Sequence, residues 1–369
     1  MSLFSKDGKN PNFLGIDIGG SSIKLVELAN NNGRAQLVTY GYLERSLSGD
    51  KAKLLDQPDK TAELIKKVAT QSRASSKRAI TALPSSAVFS SIIALPEIEK
   101  GDLSSTKKIS AAVEWEAKKV LPMPLEKMIL DWKILGSADL LKDDKADPKT
   151  KIKNLQVLLT AASKEVVEKY IAIFKKADME LISLETESFA LARSLVGKDK
   201  SIVVIVDIGA MDTDIAIVEN SMPLLNRSVA VGGLEITKGI ANTLSTTPEQ
   251  AEQFKRDLQS NMQSFANGQT LPSVIERPVQ AVLNEVQYTI NFYLEQPDNK
   301  NKKIERILLS GGTANLYNLP KYFTEKMNIR AFVGNPWARV IYPEDLQPVL
   351  EAVGPRLATA IGLAMRDIE

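Results

Sequence analysis

"LGIDIGGSSIKLVEL", residues 14–28, sets an aspartate, two glycines and two serines between two apolar runs. The runs at 13–18 and 22–29 read as strands around Gly19-Gly20, and a third, near 35–43, extends them into a meander. Without a Cβ, Gly19 and Gly20 let the backbone approach an anion with its amides free to point at it. Ser21 and Ser22 add hydroxyl donors, and Lys24 supplies a point charge suited to a phosphate. Asp17 repels a phosphate but can hold a water of hydrated magnesium. Taken alone, Asp-X-Gly-Gly between strands is an ordinary tight turn. The rest of the chain has to decide between a turn and an anion cradle.

The same pattern returns at "SIVVIVDIGAMDTDIAIVENSMPLL", residues 201–225, with Asp207, Gly209 and Thr213 in the corresponding places. Such an echo predicts a core fold built twice. A third glycine turn, "SGGT" at 310–313, follows the apolar strand 307–309 and offers Gly311 and Gly312 to a flat base or a phosphate. Neither a Walker loop nor a Gly-x-Gly-x-x-Gly fingerprint occurs in the sequence. The case for a site therefore rests on three turns taken in order.

Between the two echoes the texture changes. "AVFSSIIALP", "MILDWKILG" and "LQVLLTAA" read as strands, and "TKKISAAVEWEAKKVL" as a helix stopped by Pro122 and Pro124. Together they predict a small α+β insertion, with a charged turn at 141–154. Further helices are expected along Ala62, Ile65, Val68 and Ala69, and along Val166, Val167, Tyr170, Ile171 and Phe174. Another is expected over 278–296, and a Gly/Ala-rich one over 354–366. Thr247-Pro248-Glu249-Gln250 reads as a capping box with proline in the first helical position.

Composition narrows the chemistry. The 369 residues are 44% hydrophobic and 25% charged, with a formal net charge of +2, as in a globular protein with no call for nucleic acid. Cysteine and histidine are both absent, which removes disulfides, Cys/His zinc sites and every histidine-dependent triad. A metal has to be hard and oxygen-bound, magnesium first. No stretch approaches the ~20 apolar residues of a membrane span, and a cytoplasmic location is expected.

The order of the three turns and two small-residue helices resembles the actin-like ATPase superfamily. Within it, the chain resembles the PilM family of type IV pilus assembly proteins, related to FtsA. "LFSKDGKNPNFLGIDIGGSSIKLVEL" and "ALPSSAVFSSIIALPEI" carry that likeness, as do "EWEAKKVLPMPLEKMILDWKIL", "TAASKEVVEKYIAIFKKADMEL" and "GNPWARV". It implies an α/β protein with the actin-like ATPase fold, made of duplicated RNase H-like halves with an FtsA/PilM-type inserted 1C subdomain. The implied bounds are 1–85, 164–200 and 350–369 for the first actin-like domain and 86–163 for the insertion. The second actin-like domain takes 201–235 and 300–349, and a helical subdomain takes 236–299.

The resemblance also implies a nucleotide, ATP or ADP with Mg2+, held by Asp17, Gly19, Gly20, Ser21, Ser22 and Lys24 and by Asp207, Gly209 and Thr213. "VGGLEITKGIA" would add Gly232 and Gly233 at the cleft, with Glu235 and Lys238 reaching ribose and base, and Gly311, Gly312 and Asn315 near adenosine. Asp17 and Asp207 would hold the metal through water. The second turn departs from the family pattern, with Ala210, Met211 and Asp212 where glycines are usual. Glu187, at the start of the helix "ETESFALARSL", is the candidate catalytic acid, and turnover is expected to be slow or absent.

The implied role is a cytoplasmic scaffold, peripheral to the inner membrane, that binds the N-terminal cytoplasmic peptide of a PilN-like membrane protein and links it to the pilus motor ATPases. The peptide would lie in a groove between the first domain and the insertion. Val88, Phe89, Ile92, Leu121, Pro122, Met123 and Pro124 are its candidate contacts. Two other readings stay open: a small-molecule kinase of the same superfamily, and a filament-forming FtsA-like protein.

Overall fold

The computed structural model describes residues 12–45, 53–96, 98–99, 106–135, 151–152, 154–260 and 271–368. Two compact units divide the chain: residues 85–169 form one, and 1–84 with 170–369 form the other. The charged turn expected at 141–154 falls mostly outside the described residues.

The opening stretch forms β1 (Phe13–Ile18) and β2 (Ser22–Asn31), antiparallel from Phe13↔Leu28 to Ile18↔Ile23. All of β1 is buried. β3 (Arg34–Glu44) completes the meander. α1 (Pro58–Gln71) buries Ala62, Ile65, Val68 and Ala69, the face its spacing predicts, and lies against β2 and β3. β4 (Arg78–Leu83) then enters the sheet parallel to β1.

In the smaller unit, β5 (Val88–Leu95) and the two-residue β6 (Ile98–Glu99) precede α2 (Thr106–Val120). β7 (Met128–Ile134), the short β8 (Lys151–Ile152) and β9 (Leu155–Ser163) follow. The sheet order is β5-β9-β7, antiparallel throughout. Ile109, Val113 and Ala117, one turn apart along α2, meet Ile93, Leu95, Leu155, Val157 and Leu159 in one core. Alternation along each strand puts Phe89 and Leu130 on that same face.

α3 (Lys164–Lys176) follows β9. Its expected stripe shifts by one position. Ile173 is fully buried, while Ile171 is 51% exposed. The buried set Val167, Tyr170, Ile173, Phe174 and Ala177 is still helical in period, but its centre lies between Tyr170 and Phe174, which leaves Ile171 outside the stripe.

β10 (Glu180–Thr186) pairs parallel with β4 and leads into α4 (Glu187–Leu191), which continues as a π-turn to Val196. The second echo gives β11 (Val203–Ile208), β12 (Thr213–Glu219) and β13 (Met222–Val229). Then come α5 (Gly233–Leu244), α6 (Pro248–Ser260) and α7 (Ser273–Leu294). β14 (Arg306–Ser310), α8 (Leu319–Met327), β15 (Ala331–Val333), β16 (Val340–Ile341) and α9 (Gln347–Ala364) close the described chain.

The two large sheets run β10-β4-β1-β2-β3-β16 and β13-β12-β11-β14-β15. Without β16, both have the same order: an antiparallel meander, with two parallel strands added in succession beside its first strand. The glycine turn after β1 and the one after β11 therefore occupy equivalent places.

Burial follows from this layering. In β11, Val204, Val206 and Ile208 face a core built with α5 through α8, and Val203 and Ile205 face α4 and Ala358 of α9. α9 also covers the first sheet through Leu357, Ala360, Ile361 and Ala364. It has to come close. A Cβ on Gly15 of β1 would sit 1.9 Å from the Ala360 carbonyl oxygen, and one on Gly362 would sit 1.9 Å from that of Ala190.

The capping box at the start of α6 is fully formed. Gln250 N donates to Thr247 Oγ1 at 3.2 Å, and Thr247 N donates to Gln250 Oε1 at 3.1 Å. Thr247→Ala should cost about 1 kcal/mol, read as a lower urea midpoint with an unchanged denaturant slope.

Candidate functional site

The three glycine turns meet at one cleft in the larger unit. Its lining takes Ser21, Ser22 and Lys24 from the first turn, Asp207, Gly209 and Ala210 from the second, and Gly311, Gly312 and Thr313 from the third. Gly233 and Leu234 at the head of α5 close one side. The cleft has a cavity volume of about 140 Å³ and opens to solvent at its mouth.

Local backbone bonding explains why these sequences make turns. Gly19 N donates to the Ser22 carbonyl, and Gly209 N to that of Asp212, each at 2.9 Å. The first two turns face each other so closely that a Cβ on Gly20 would meet Met211 Sδ at 2.7 Å. α5 is seated on the second turn: Gly233 N and Leu234 N donate to the Gly209 and Ala210 carbonyls, each at 2.9 Å. Gly311 has φ +85 and donates to the Pro355 carbonyl of α9, and a Cβ there would clash with Ile208. That position requires glycine on both counts.

Charge is concentrated at the floor. Lys24 Nζ donates to Asp17 Oδ2 at 2.7 Å, and Asp17 is 5% exposed. Burial works against the Lys24 ammonium, but Asp17, Asp207 and Glu187 outweigh it and raise its pKa. Asp207 responds the other way. Its burial pushes the carboxyl up to about 6 against the pull of Lys24 and the Ser310 hydroxyl, with Asp17 and Asp212 adding repulsion. Burial also raises the Tyr170 hydroxyl, helped by the charges of Glu187 and Asp17.

Several residues expected here from the sequence lie elsewhere. Thr213 is fully buried, and its hydroxyl donates to the Val231 carbonyl at 2.6 Å, a structural bond within the fold. Gly232 is packed against Ala210. Asn315 Nδ2 donates to the Ala352 carbonyl of α9 at 2.9 Å. Glu235 and Lys238 pair with each other at 2.6 Å on the outer face of α5, beside a separate groove shared with Val274 and Pro278 of α7. Glu187 begins α4, and its charge reaches Lys24, but it is not among the residues lining the cleft.

The wall where Glu235 and Lys238 were expected is built by α6. Lys255 is 6% exposed and donates to Gly233 O at 3.0 Å and to Thr237 Oγ1 at 2.8 Å. Burial lowers its pKa although Glu252 lies 2.7 Å away. Arg256 stands one residue further, and Tyr42, Glu44, Arg45 and Arg356 complete the mouth. The spacing Glu252-x-x-Lys255-Arg256 is a signal the sequence does carry, but it matches any solvated i,i+3 helix pair. Lys24, Arg45, Lys255, Arg256 and Arg356 face three lining acids, Asp207, Glu44 and Glu252, so the cleft has an excess of positive charge suited to a polyanion.

Among the described residues, no group of three or more His, Cys, Asp or Glu side chains could hold a metal. Asp17 and Asp207 flank Lys24 and fit a cation that keeps its own water and phosphate ligands, as magnesium does. None of the helices searched among the described residues is long and apolar enough to cross a membrane.

The partner candidates in the smaller unit divide in two. Phe89 and Leu121 are half-buried and pack against its core. Val88 and Ile92 are half-buried, and Pro122, Met123 and Pro124 are exposed. Ile129, 45% exposed, lies across β9 from Val88, since both pair with Ala162.

The family model described as "Type IV pilus assembly protein PilM" matches residues 15–368. The "PilM-PilN type IV pilus biogenesis complex" contains a chain similar to this one at TM-score 0.77 and 24% identity, over 98% of this chain and 99% of that one. MreB 5 of Spiroplasma citri bound to AMPPNP is similar at TM-score 0.50 and 13% identity, over 96% and 95%. Cell division protein FtsA of Bacillus subtilis is 27% identical over 150 residues, 39% of this chain, and the chain spans 34% of that relative's length. The fold is that of the actin-like ATPases.

Proposed function

Because the chain belongs to the type IV pilus assembly protein PilM family, we propose that it is a nucleotide-bound scaffold of the inner-membrane assembly platform. The observation that carries this reading is the cleft where three glycine turns converge under an excess of cations. A nucleoside triphosphate suits it chemically. Its phosphates suit the turns after β1 and β11, and its sugar and base suit the wall formed by Glu252, Lys255 and the Gly311-Gly312 turn. Mg2+, bound through water by Asp17 and Asp207, would supply charge neutralisation at the phosphates.

The structural neighbour bound to AMPPNP supports a nucleotide in this fold. Turnover should stay well below ~1 per second, at the slow end of enzyme rates, because Glu187, the acid offered for water activation, is outside the cleft lining. Steady release of several phosphates per second by the purified chain would overturn the scaffold reading.

In this proposal the insertion, 86–163, recruits the protein to the membrane. Its partner is the extended N-terminal cytoplasmic peptide of a PilN-like inner-membrane protein, a class of ligand that exposed sheet edges and apolar grooves accept. The neighbouring PilM-PilN complex supports that partner class. Met123, which follows Pro122, and Ile129 of β7, both exposed apolar side chains of the smaller unit, are its expected anchors. Ile129→Asp and Met123→Asp should each weaken binding of a fluorescent peptide of that kind by roughly tenfold, about 1.4 kcal/mol, with nucleotide affinity unchanged. Unaltered peptide affinity in both variants would remove these anchors from the proposal.

A further inference from the structure

Three remote parts of the chain meet at the mouth of the cleft. Glu44 ends β3 of the first sheet. Arg256 lies on α6, which packs with the second sheet through Ala251 and Leu258. Arg356 lies on α9. One carboxylate joins all three. Arg356 Nη1 donates to Glu44 Oε1 at 3.0 Å, and Arg256 Nη2 donates to Glu44 Oε2 at 2.6 Å.

Each guanidinium is held from its other side. Arg256 Nε donates to Glu252 Oε1 at 3.2 Å, and Glu252 in turn holds Lys255 and Thr237. The Arg356 guanidinium stands 5.0 Å above the Tyr42 ring. Glu44, Arg256, Arg356 and Tyr42 all line the cleft. The Glu44–Arg256 pair therefore spans from the half that carries the first glycine turn to the half that carries the second.

We propose that Glu44 is a latch across this cleft, and that breaking its bond to Arg256 is the step that lets a nucleoside di- or triphosphate leave. The proposal rests on the nucleotide reading above. A ligand clamped between two halves escapes when the halves part, and this pair resists that parting. The side chains of Glu44 and Arg256 are 34% and 44% exposed. Ions and water reach them, so the latch is weak enough to open on its own and sensitive to salt.

The test uses the full chain, Mg2+ and mant-ADP, with release followed by chase with unlabelled ADP. Glu44→Gln should speed release roughly fivefold, about 1 kcal/mol in the bound state, and Arg256→Gln should do the same. The double variant should release more slowly than the product of the two single effects predicts, because both single variants remove the shared Glu44–Arg256 bond. Raising the salt concentration should speed release by a larger factor in the wild type than in Glu44→Gln, since salt weakens the hold on the phosphates in both but the latch only in the wild type. A release rate within twofold of wild type in both single variants, or strictly multiplicative effects in the double variant, would overturn the latch while leaving the nucleotide reading intact. Failure of the wild type to bind mant-ADP saturably would overturn that reading, and the latch with it.

Discussion

Replacing Asp207 with asparagine should raise the stability of the nucleotide-free protein at pH 7 and remove the stabilisation expected from Mg-ATP. The two effects have one origin. The carboxyl is pushed up from 3.8 to about 6 because its ionised form is buried at the cleft floor. A group harder to ionise in the folded than in the unfolded chain costs stability at pH 7. The folded chain recovers that cost as pH falls from about 6 towards 4. The cost is on the order of 1–3 kcal/mol, since each pKa unit corresponds to about 1.4 kcal/mol. Asparagine keeps the size and removes the charge. The nucleotide-free variant should therefore unfold at higher urea, and this part of the pH dependence should flatten.

The nucleotide response goes the other way. With Mg-ATP at ~100 times its Kd, the wild type gains about 2.7 kcal/mol by mass action. The variant lacks the negative charge that holds hydrated magnesium and should gain less than about 0.5 kcal/mol, too little to need any binding above two Kd. Thermal unfolding with and without Mg-ATP measures both. A full Mg-ATP shift in Asp207→Asn would exclude this carboxylate from the site.

The second large effect is Gly362→Val. α9 lies between the two sheets and touches α4 through the bare backbone at Gly362. A Cβ there would stand 1.9 Å from the Ala190 carbonyl oxygen and 2.5 Å from its carbon, so a helix that seals two cores has to move. Backbone meets backbone at this point, and no side-chain rotation relieves the contact. The loss should exceed about 4 kcal/mol, in the range reserved for core disruption, and the variant should lose its near-ultraviolet circular dichroism or fail to stay soluble. Gly312→Ala is the control. An added Cβ there meets open space, and stability should stay within about 0.5 kcal/mol. Native-like stability of Gly362→Val would mean that α9 does not sit where the close approach puts it.

Much of this architecture is local and was therefore legible in the chain. Apolar runs of six residues broken by Asp-x-Gly gave β1, β2, β11 and β12, and their repetition gave two halves with one strand order. The capping box gave the start of α6. The phase of α3 was not legible to the residue. Ile171 and Ile173 are the same amino acid, and what selects Ile173 for burial is the surface it meets.

The cleft divides in the same way. Its floor takes the turn residues Ser21, Ser22, Lys24, Asp207 and Gly209, with Asp17 held beneath Lys24, and their neighbours in sequence are their neighbours in space. Its wall and mouth are different. Glu44, Arg256 and Arg356 come from a strand end and two helices, and each looks like a solvated surface charge within its own segment. Glu235 and Lys238 have the right types at the right spacing, but they face away because α5 is seated on the second turn through its backbone. By itself, then, the sequence determined the duplicated α/β core and the three anion-ready turns, because hydrophobic period and glycine placement act over a few residues. Tertiary structure alone decided which helix face closes the cleft and which carboxylate bridges it, because those choices depend on how elements more than two hundred residues apart are packed together.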